Sequence, residues 1–210
     1  MERTTCTLCE SRPPRRFCPA VNQSICAPCC GAEREQTIDC PFDCEYLRDA
    51  RDHDRMPDVD PKSMPHPDVE LTDKFMEEQQ PLAIVAGRLL LVAALETPGT
   101  VDFDLRKTLA SLTQTYRTAE SGLIYESRPA NAIAAAVADR FQQEIGLFRE
   151  NIAQQSGSHT VRDKDLLGVL IFWQRMEWQH SNGRRKGRQF IESLFALMPP
   201  TDQDGIEPPA

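Results

Sequence analysis

The sequence has no hydrophobic run long enough to cross a membrane. Its longest apolar stretch, residues 82–95, is interrupted by Gly87-Arg88, whereas a membrane-spanning helix needs roughly 20 apolar residues. The first residues also lack the apolar segment of a secretory signal. These two absences predict a cytoplasmic protein that does not enter a membrane.

Positive charge is scarce. The 210 residues carry 24 Lys and Arg against 32 Asp and Glu, a net charge of −8. Nucleic-acid-binding domains usually present a basic surface, because much of their affinity comes from phosphate contacts. The totals therefore do not favour nucleic-acid binding. Two local basic clusters, residues 12–16 and 184–188, keep a nucleic-acid-binding regulatory protein open as an alternative function.

Motifs that carry catalysis are also missing. The sequence contains no glycine-rich phosphate loop, no nucleophile elbow and no Ser/His/Asp or Cys/His pattern. Glu177 and His180 match the Glu-x-x-His spacing of di-iron helical bundles, but such sites need two copies of that motif. The sequence therefore predicts that the protein is not an enzyme. An enzyme with its site in a helical bundle is the least favoured alternative.

All eight cysteines lie between positions 6 and 44, and none follows. Disulfides would require an oxidising compartment, to which nothing in the sequence directs the chain. An iron–sulfur cluster also takes four thiolates and remains an alternative cofactor. The Cys-x-x-Cys spacing of Cys6-Cys9 and Cys26-Cys29 favours zinc, because one tight turn can present two sulfurs to a single ion.

The order of the cysteines predicts two four-cysteine sites. Cys29 and Cys30 are neighbours whose side chains point in different directions, so they belong to different ions. The first site then contains Cys6, Cys9, Cys26 and Cys29, and the second contains Cys18, Cys30, Cys40 and Cys44. Because sulfur fills every position, both zinc ions are expected to be structural. A segment of this size needs them, since it cannot bury enough apolar surface to fold unaided.

The spacing over residues 6–44 resembles cross-brace or treble-clef double zinc fingers, of the kind found in B-box, RING and HIT-type modules. The array differs from those families in having no ligand histidine and in containing the Cys29-Cys30 doublet. The resemblance therefore implies a zinc-finger fold and no activity.

The fold class predicted is a small zinc-stabilised finger module followed by an all-α helical bundle. Residues 1–54 form the double zinc finger, with a short hairpin before Cys26 and a terminal helix starting at Cys40-Pro41. Residues 55–70 are an acidic, proline-rich linker, residues 71–200 a bundle of four or five helices, and residues 201–210 a disordered tail. The linker is expected to make few contacts, which predicts two tethered modules of independent stability.

Apolar residues spaced by three and four place the helices of the bundle. The first is capped by Thr72, passes through Pro81 and ends at Pro98-Gly99, and the second runs from near Asp102 to Gly122. Three more are expected: from Pro129, from the Thr160–Asp163 capping box to Asn182-Gly183, and from about Gly187 to Met198.

Two segments are candidates for binding a partner. The first is a dense basic cluster that contains Arg184, Arg185, Lys186 and Arg188. The second lies between two predicted helices and contains Tyr116, Arg117, Tyr125 and Arg128. The basic cluster could equally be a solvated loop between two helices. In the second segment, Arg117 and Arg128 could simply pair with Glu126. The sequence therefore favours an intracellular zinc-binding interaction or adaptor protein. It is expected to bind a protein partner, and the chain could also form a homodimer.

Overall fold

The computed structural model describes residues 5–53, 60–122, 126–156 and 161–198. The predicted tail and Tyr125 lie outside the described residues. The first described segment, called the head here, contains an antiparallel hairpin of β1 (Arg16–Cys18) and β2 (Gln23–Ile25), followed by α1 (Ala27–Glu33) and α2 (Glu45–His53). The hairpin lies where the sequence predicts it.

The two head helices differ from expectation. Helix α1 was not predicted, and it begins directly after Cys26 with Pro28 in its first turn. Helix α2 begins at Glu45, after the cysteines and not at Pro41. The amide of Cys44 donates to the carbonyl of Pro41 (3.2 Å), which closes a turn. Proline suits such a turn as well as a helix start, so Cys40 and Cys44 lie in a loop.

The bundle contains five helices within the part of the chain that the structure describes, which agrees with the expected four or five. Thr72 caps the first of them by accepting a hydrogen bond from the amide of Phe75 (3.1 Å). The five are α3 (Asp73–Glu96), α4 (Asp102–Glu120), α5 (Ala132–Ser156), α6 (Asp163–His180) and α7 (Gln189–Leu197).

Helices α3 and α4 each pack against both α5 and α6, and α7 closes one end against α3, α4 and α6. Helices α3 and α6 approach each other closely at Gly87, where an added Cβ would lie 2.3 Å from the Trp173 ring. The same indole donates to the carbonyl of Ala83 (2.9 Å). Gly87 is therefore a packing residue, which explains why a glycine interrupts the apolar run.

By length and composition alone, α3 could span a membrane, and 44 % of its most apolar window is buried inside the molecule. The core helix of a soluble protein meets the same criterion. The absence of a membrane contact stays a prediction.

The head lies directly against the bundle, and Glu35 joins them. Its side chain is 3 % exposed. One carboxylate oxygen accepts from Nη2 of Arg51 (2.8 Å) and from the amide of Arg188 (3.1 Å), and the other accepts from Nδ2 of Asn182 (2.8 Å). The carbonyl of Glu35 accepts from the amide of Lys186 (2.7 Å). The α6–α7 loop is therefore held by one buried carboxylate of the head.

Residues 60–70 also make more contacts than the linker prediction expects. The guanidinium of Arg175, on α6, donates to the carbonyls of Pro65 (3.1 Å), His66 (2.7 Å) and Val69 (2.7 Å). Trp178 Nε1 donates to the hydroxyl of Ser63 (3.1 Å). Proline leaves carbonyls without helical partners, and here a long cationic side chain satisfies several of them.

Asp102 caps α7 from inside the bundle. It is 2 % exposed, and its two oxygens accept from the amides of Phe190 (3.0 Å) and Ile191 (3.1 Å). Burial raises the pKa of Asp102 to about 7; these amides act in the opposite direction, and the charges of Glu177 and Glu35 raise it further.

This carboxyl should make stability fall as pH rises from about 4 to 7. In that window the folded protein keeps a proton on Asp102 that the unfolded chain has released, so deprotonation favours unfolding. We expect the difference in unfolding free energy between wild type and Asp102→Asn to change by up to about 1.4 kcal/mol per pH unit. Urea titrations at several pH values measure it. Asp139→Asn, at an exposed position, is the control, and parallel curves for wild type and Asp102→Asn would contradict the assignment.

Candidate metal centre

Four cysteines meet at one end of the head. The ligand sulfurs of Cys6, Cys9, Cys26 and Cys29 all lie within 4.8 Å of one another. The Sγ atoms of Cys9 and Cys26 are 3.9 Å apart, close to the edge of about 3.8 Å that a tetrahedron with metal–sulfur bonds of about 2.3 Å would have. This group, which could hold one metal ion, is the first set predicted from the order of the cysteines.

Local backbone structure explains why these four cysteines lie close together. A turn closes over the first pair, since the amide of Glu10 donates to the carbonyl of Cys6 (2.8 Å), and Glu10 adopts the left-handed φ of 53°. The second pair lies at the start of α1, where Cys26 is the residue before the first helical turn. The amide of Cys26 donates to Sγ of Cys6 (3.1 Å), and this hydrogen bond joins the two cysteine pairs.

The thiols of this cluster differ in their electrostatics. The hydroxyl of Ser11, followed by backbone amides, lowers the pKa of Cys9 to about 5. The neighbouring sulfur of Cys26, then burial and the other two sulfurs, raises the pKa of Cys29 to about 12. Four thiolates repel one another at this spacing, and a divalent cation between them would remove that penalty.

The second predicted set is arranged less tightly. Cys18, Cys30, Cys40 and Cys44 line one enclosed cavity of about 10 Å³ between β1, α1 and the loop before α2. Among the residues that the structure describes, however, only the first set has its sulfurs within 4.8 Å. Burial raises the pKa of Cys40 to about 11. A hydrogen bond with the Glu35 backbone acts in the opposite direction, and the charges of Glu35, Cys44 and Cys18 raise the pKa further. One cysteine cluster that could hold a metal ion is thus shown, and the second site stays a prediction.

Two arginines border the second set. Nη1 of Arg16 lies 3.6 Å from Sγ of Cys30, and Nη2 of Arg34 lies 4.0 Å from the same sulfur. The Arg16 guanidinium also covers the ring of Tyr46, 4.6 Å from its centroid. Two guanidinium groups therefore lie close to one sulfur of the second set. They also show that the basic cluster of residues 12–16 is partly engaged within the head.

The basic cluster of residues 184–188 lies between α6 and α7 and contacts the head. Arg184 Nη1 donates to the carbonyl of Arg34 (2.6 Å). Arg188 Nη2 donates to Asp39 (2.8 Å) and to the carbonyl of Cys40, and its guanidinium covers Phe42, 4.6 Å from the ring centroid. Arg188 and one guanidinium nitrogen of Arg184 thus take part in docking the head against the bundle. Arg185 is exposed and Lys186 half-buried.

The second candidate segment is divided among separate contacts. Arg117 pairs with Asp68 (2.9 Å), and Arg128 pairs with Asp139. The ring of Tyr116 is half-buried beneath the guanidinium of Arg149, at 5.4 Å. The two arginines therefore pair with other acids than Glu126. Whether this segment binds a partner stays a prediction.

Glu177, part of the Glu-x-x-His motif, is a buried ion-pair residue. It is 1 % exposed, and both of its oxygens accept from Nε of Arg106 (3.1 and 3.0 Å). Burial raises its pKa, and the hydrogen bonds and charge of Arg106 lower it. This pairing leaves no reason to assign Glu177 to a metal.

Sequence reasoning missed three residues that hold the head against the bundle: Glu35, Arg51 and Asn182. Glu35 lies among the predicted ligands without any pattern of its own, and its partners Arg51 and Asn182 lie 16 and 147 residues away. The segment between Cys30 and Cys40 also contains Glu33 and Asp39, so its composition does not single out Glu35. Comparison of the chain with protein-family models, curated proteins and solved structures gives no match.

Proposed function

We propose that the protein is a zinc-binding interaction protein of the cytoplasm, in which zinc ions hold the head rigid and the head and bundle together bind a protein partner. The observation that carries the proposal is the four-cysteine cluster of Cys6, Cys9, Cys26 and Cys29. Four thiolates complete a tetrahedral shell, so an ion bound there has no open position for water or substrate. Such an ion stabilises structure and performs no reaction.

Zinc fits this donor set better than an iron–sulfur cluster. The sulfur spacing matches the tetrahedron around one ion, whereas a cluster needs room for several iron and sulfide atoms between the cysteines. A second zinc at Cys18, Cys30, Cys40 and Cys44 is supported by their shared cavity. The bordering guanidinium groups of Arg16 and Arg34 would offset part of the negative charge of a four-thiolate site.

Elemental analysis of the purified protein should find two zinc ions per chain and a colourless solution. Cys6→Ser should remove one ion and Cys18→Ser the other, because a hydroxyl is a much weaker zinc ligand than a thiolate. Ser24→Ala, an exposed position in the same hairpin, should keep both. One zinc in wild type that Cys18→Ser leaves unchanged would refute the second site. Iron with visible absorption near about 400 nm would refute zinc.

The interaction role is supported by apolar side chains that the head exposes. Leu8 is 43 % exposed on the turn between the first two cysteines, and Phe17 is 56 % exposed on β1. A small metal-stabilised module has few apolar residues, and these two are available to contact a partner. Both belong to the segment that zinc would hold rigid, which lowers the entropy lost on binding.

A double variant, Leu8→Ser with Phe17→Ser, should lose the partner while keeping the fold and its zinc. The matched control is Ile84→Ser with Leu147→Ser, which removes side chains of similar exposure (50 and 52 %) from the bundle. Affinity capture with each variant as bait, followed by quantitative mass spectrometry, compares them. The partner, or a second copy of the chain, should be depleted only with the head variant. Equal recovery with both baits would contradict an interaction through the head.

A further inference from the structure

A basic cleft lies between the start of α4 and the α6–α7 loop. Its volume is about 350 Å³, within the range of small-molecule sites. None of the described residues that line it is acidic. We call it the arginine cleft, and it is lined by Phe103, Arg106, Ser181, Gly183, Arg184 and Arg185.

Buried partners fix Arg106 in this cleft. Its Nε donates to both oxygens of Glu177, and its Nη2 donates to the hydroxyl of Ser181 (3.2 Å). The side chain is nevertheless 44 % exposed, so part of the guanidinium faces solvent. Glu177 cancels most of its charge, and Arg106 therefore offers oriented donors more than net attraction.

Arg184 and Arg185 supply the net charge. Arg184 is held by an uncharged acceptor, the carbonyl of Arg34, so its positive charge is not cancelled there. Its amide donates to the side chain of Asn182 (3.0 Å), which fixes the loop. Arg185 is exposed. Two cations on a fixed loop, facing a third guanidinium, form a site for anionic oxygens.

An aromatic ring borders the same cleft. Phe103 is 47 % exposed at the start of α4, and Nζ of Lys107 lies 5.2 Å from its ring centroid. An exposed phenyl ring beside cations is the combination on which bases stack while their phosphates are held. Lys107 lies beside the cleft without lining it. With Arg184 and Arg185 it makes three cations near the ring in addition to the paired Arg106, more than one phosphate group needs.

We infer from this arrangement that the arginine cleft binds a nucleotide carrying at least two phosphates, either free or as part of a single strand of nucleic acid. Phe103 stacks on the base, and Arg184 and Arg185 contact the phosphates. Arg106 orients them through its fixed guanidinium. A phosphotyrosine peptide would also bring a ring and a phosphate. It is the less suitable ligand, because it offers one phosphate to a cleft that holds several cations.

The test uses the full zinc-loaded chain and isothermal titration with ADP, pyrophosphate and adenosine. We expect saturable binding of ADP, with pyrophosphate and adenosine each at least about tenfold weaker, because each makes only part of the contacts. Absence of saturable ADP binding at millimolar concentration would overturn the inference. A phosphotyrosine peptide that binds tighter than ADP would overturn it as well.

Two variants locate the site. Arg185→Gln should weaken ADP and pyrophosphate about tenfold, whereas Arg128→Gln, an exposed arginine paired with Asp139 on the bundle, should change neither. Phe103→Ala should weaken ADP about tenfold and leave pyrophosphate unchanged, because only the base stacks. Both altered side chains are exposed, so folding should be intact. Equal affinities in wild type and Arg185→Gln would place any ADP binding elsewhere and overturn the inference.

A ten-nucleotide thymidine strand distinguishes the two sources. If the strand binds more tightly than thymidine diphosphate, and its affinity falls steeply with salt, the ligand is single-stranded nucleic acid. If the two bind equally, the ligand is a free nucleotide. In both cases Arg185→Gln must weaken binding, and a strand that binds this variant as well as wild type would contradict the site.

Discussion

Replacing Glu35 with alanine should lower the free energy of unfolding by about 3–5 kcal/mol, the range for removing one partner of a buried ion pair. The carboxylate is 3 % exposed and pairs with Arg51, whose side chain is 10 % exposed. Its loss leaves the Asn182 amide and the Arg188 backbone amide without their acceptor. Buried donors without partners are unfavourable in addition to the lost ion pair.

Chemical denaturation measures the effect, and hydrogen exchange locates it. Amides of residues 182–191 should exchange faster in Glu35→Ala, because the head no longer holds the loop. Zinc at the first cluster should remain, since Glu35 lies outside it. The matched control is Asp139→Ala, which breaks an ion pair between two exposed side chains and should cost at most about 1 kcal/mol. Similar losses in both variants would mean that Glu35 does not join head and bundle.

The helical bundle could be predicted closely because its signals are local. Apolar stripes, the cap at Thr72 and the breaks at Pro98-Gly99 and Asn182-Gly183 bound helices that the structure places within a few residues of expectation. Such punctuation acts through backbone conformation, which neighbouring residues decide. The first cysteine cluster was accessible for the same reason, since each Cys-x-x-Cys pair forms in one turn.

Tertiary contacts explain what could not be predicted. Helix α1 is seven residues long and contains Gly31, so no stripe marks it, and a helix so short is stable only through its surroundings. The loop of residues 184–188 presents the charges of a binding site, yet Arg188 contacts Asp39 and the carbonyl of Cys40 in the head. A run of cations in a sequence does not say whether its partner is another molecule or a distant segment of the same chain.

The placement of the head changes what metal removal should do. If the linker made few contacts, as the sequence predicts, the head and the bundle would be independently stable. Chelation would then unfold the head alone. In the structure, Arg51 pairs with Glu192 of α7 as well as with Glu35, and Phe42 packs against the bundle core. The head is therefore part of the support of α7. The four longer helices have a core of their own, built around residues such as Leu109, Phe141 and Leu170.

Chelation of zinc from wild type should consequently unfold the head completely and loosen α7, while α3 to α6 keep their helices. Structural zinc contributes roughly 10–16 kcal/mol to folding in small finger peptides, far more than the few buried side chains of the head can replace. Helix α7 loses Arg51 and Phe42 as neighbours but keeps its cap at Asp102. Far-UV circular dichroism should then show the loss of the helical signal of the head and part of that of α7. Independent tethered modules would lose only the helical signal of the head.

Hydrogen exchange with and without a strong chelator separates these outcomes by segment. Amides of residues 16–53 should lose protection fully, those of α7 by about tenfold or more, and those of α5 hardly at all, because protection follows the free energy of local opening. Cys26→Ser should reproduce the chelated pattern, whereas Ser24→Ala should retain the wild-type pattern. Unchanged protection of α7 after chelation would show that the head contacts do not stabilise it. Loss of protection throughout α3 to α6 would show that head and bundle unfold as one cooperative unit.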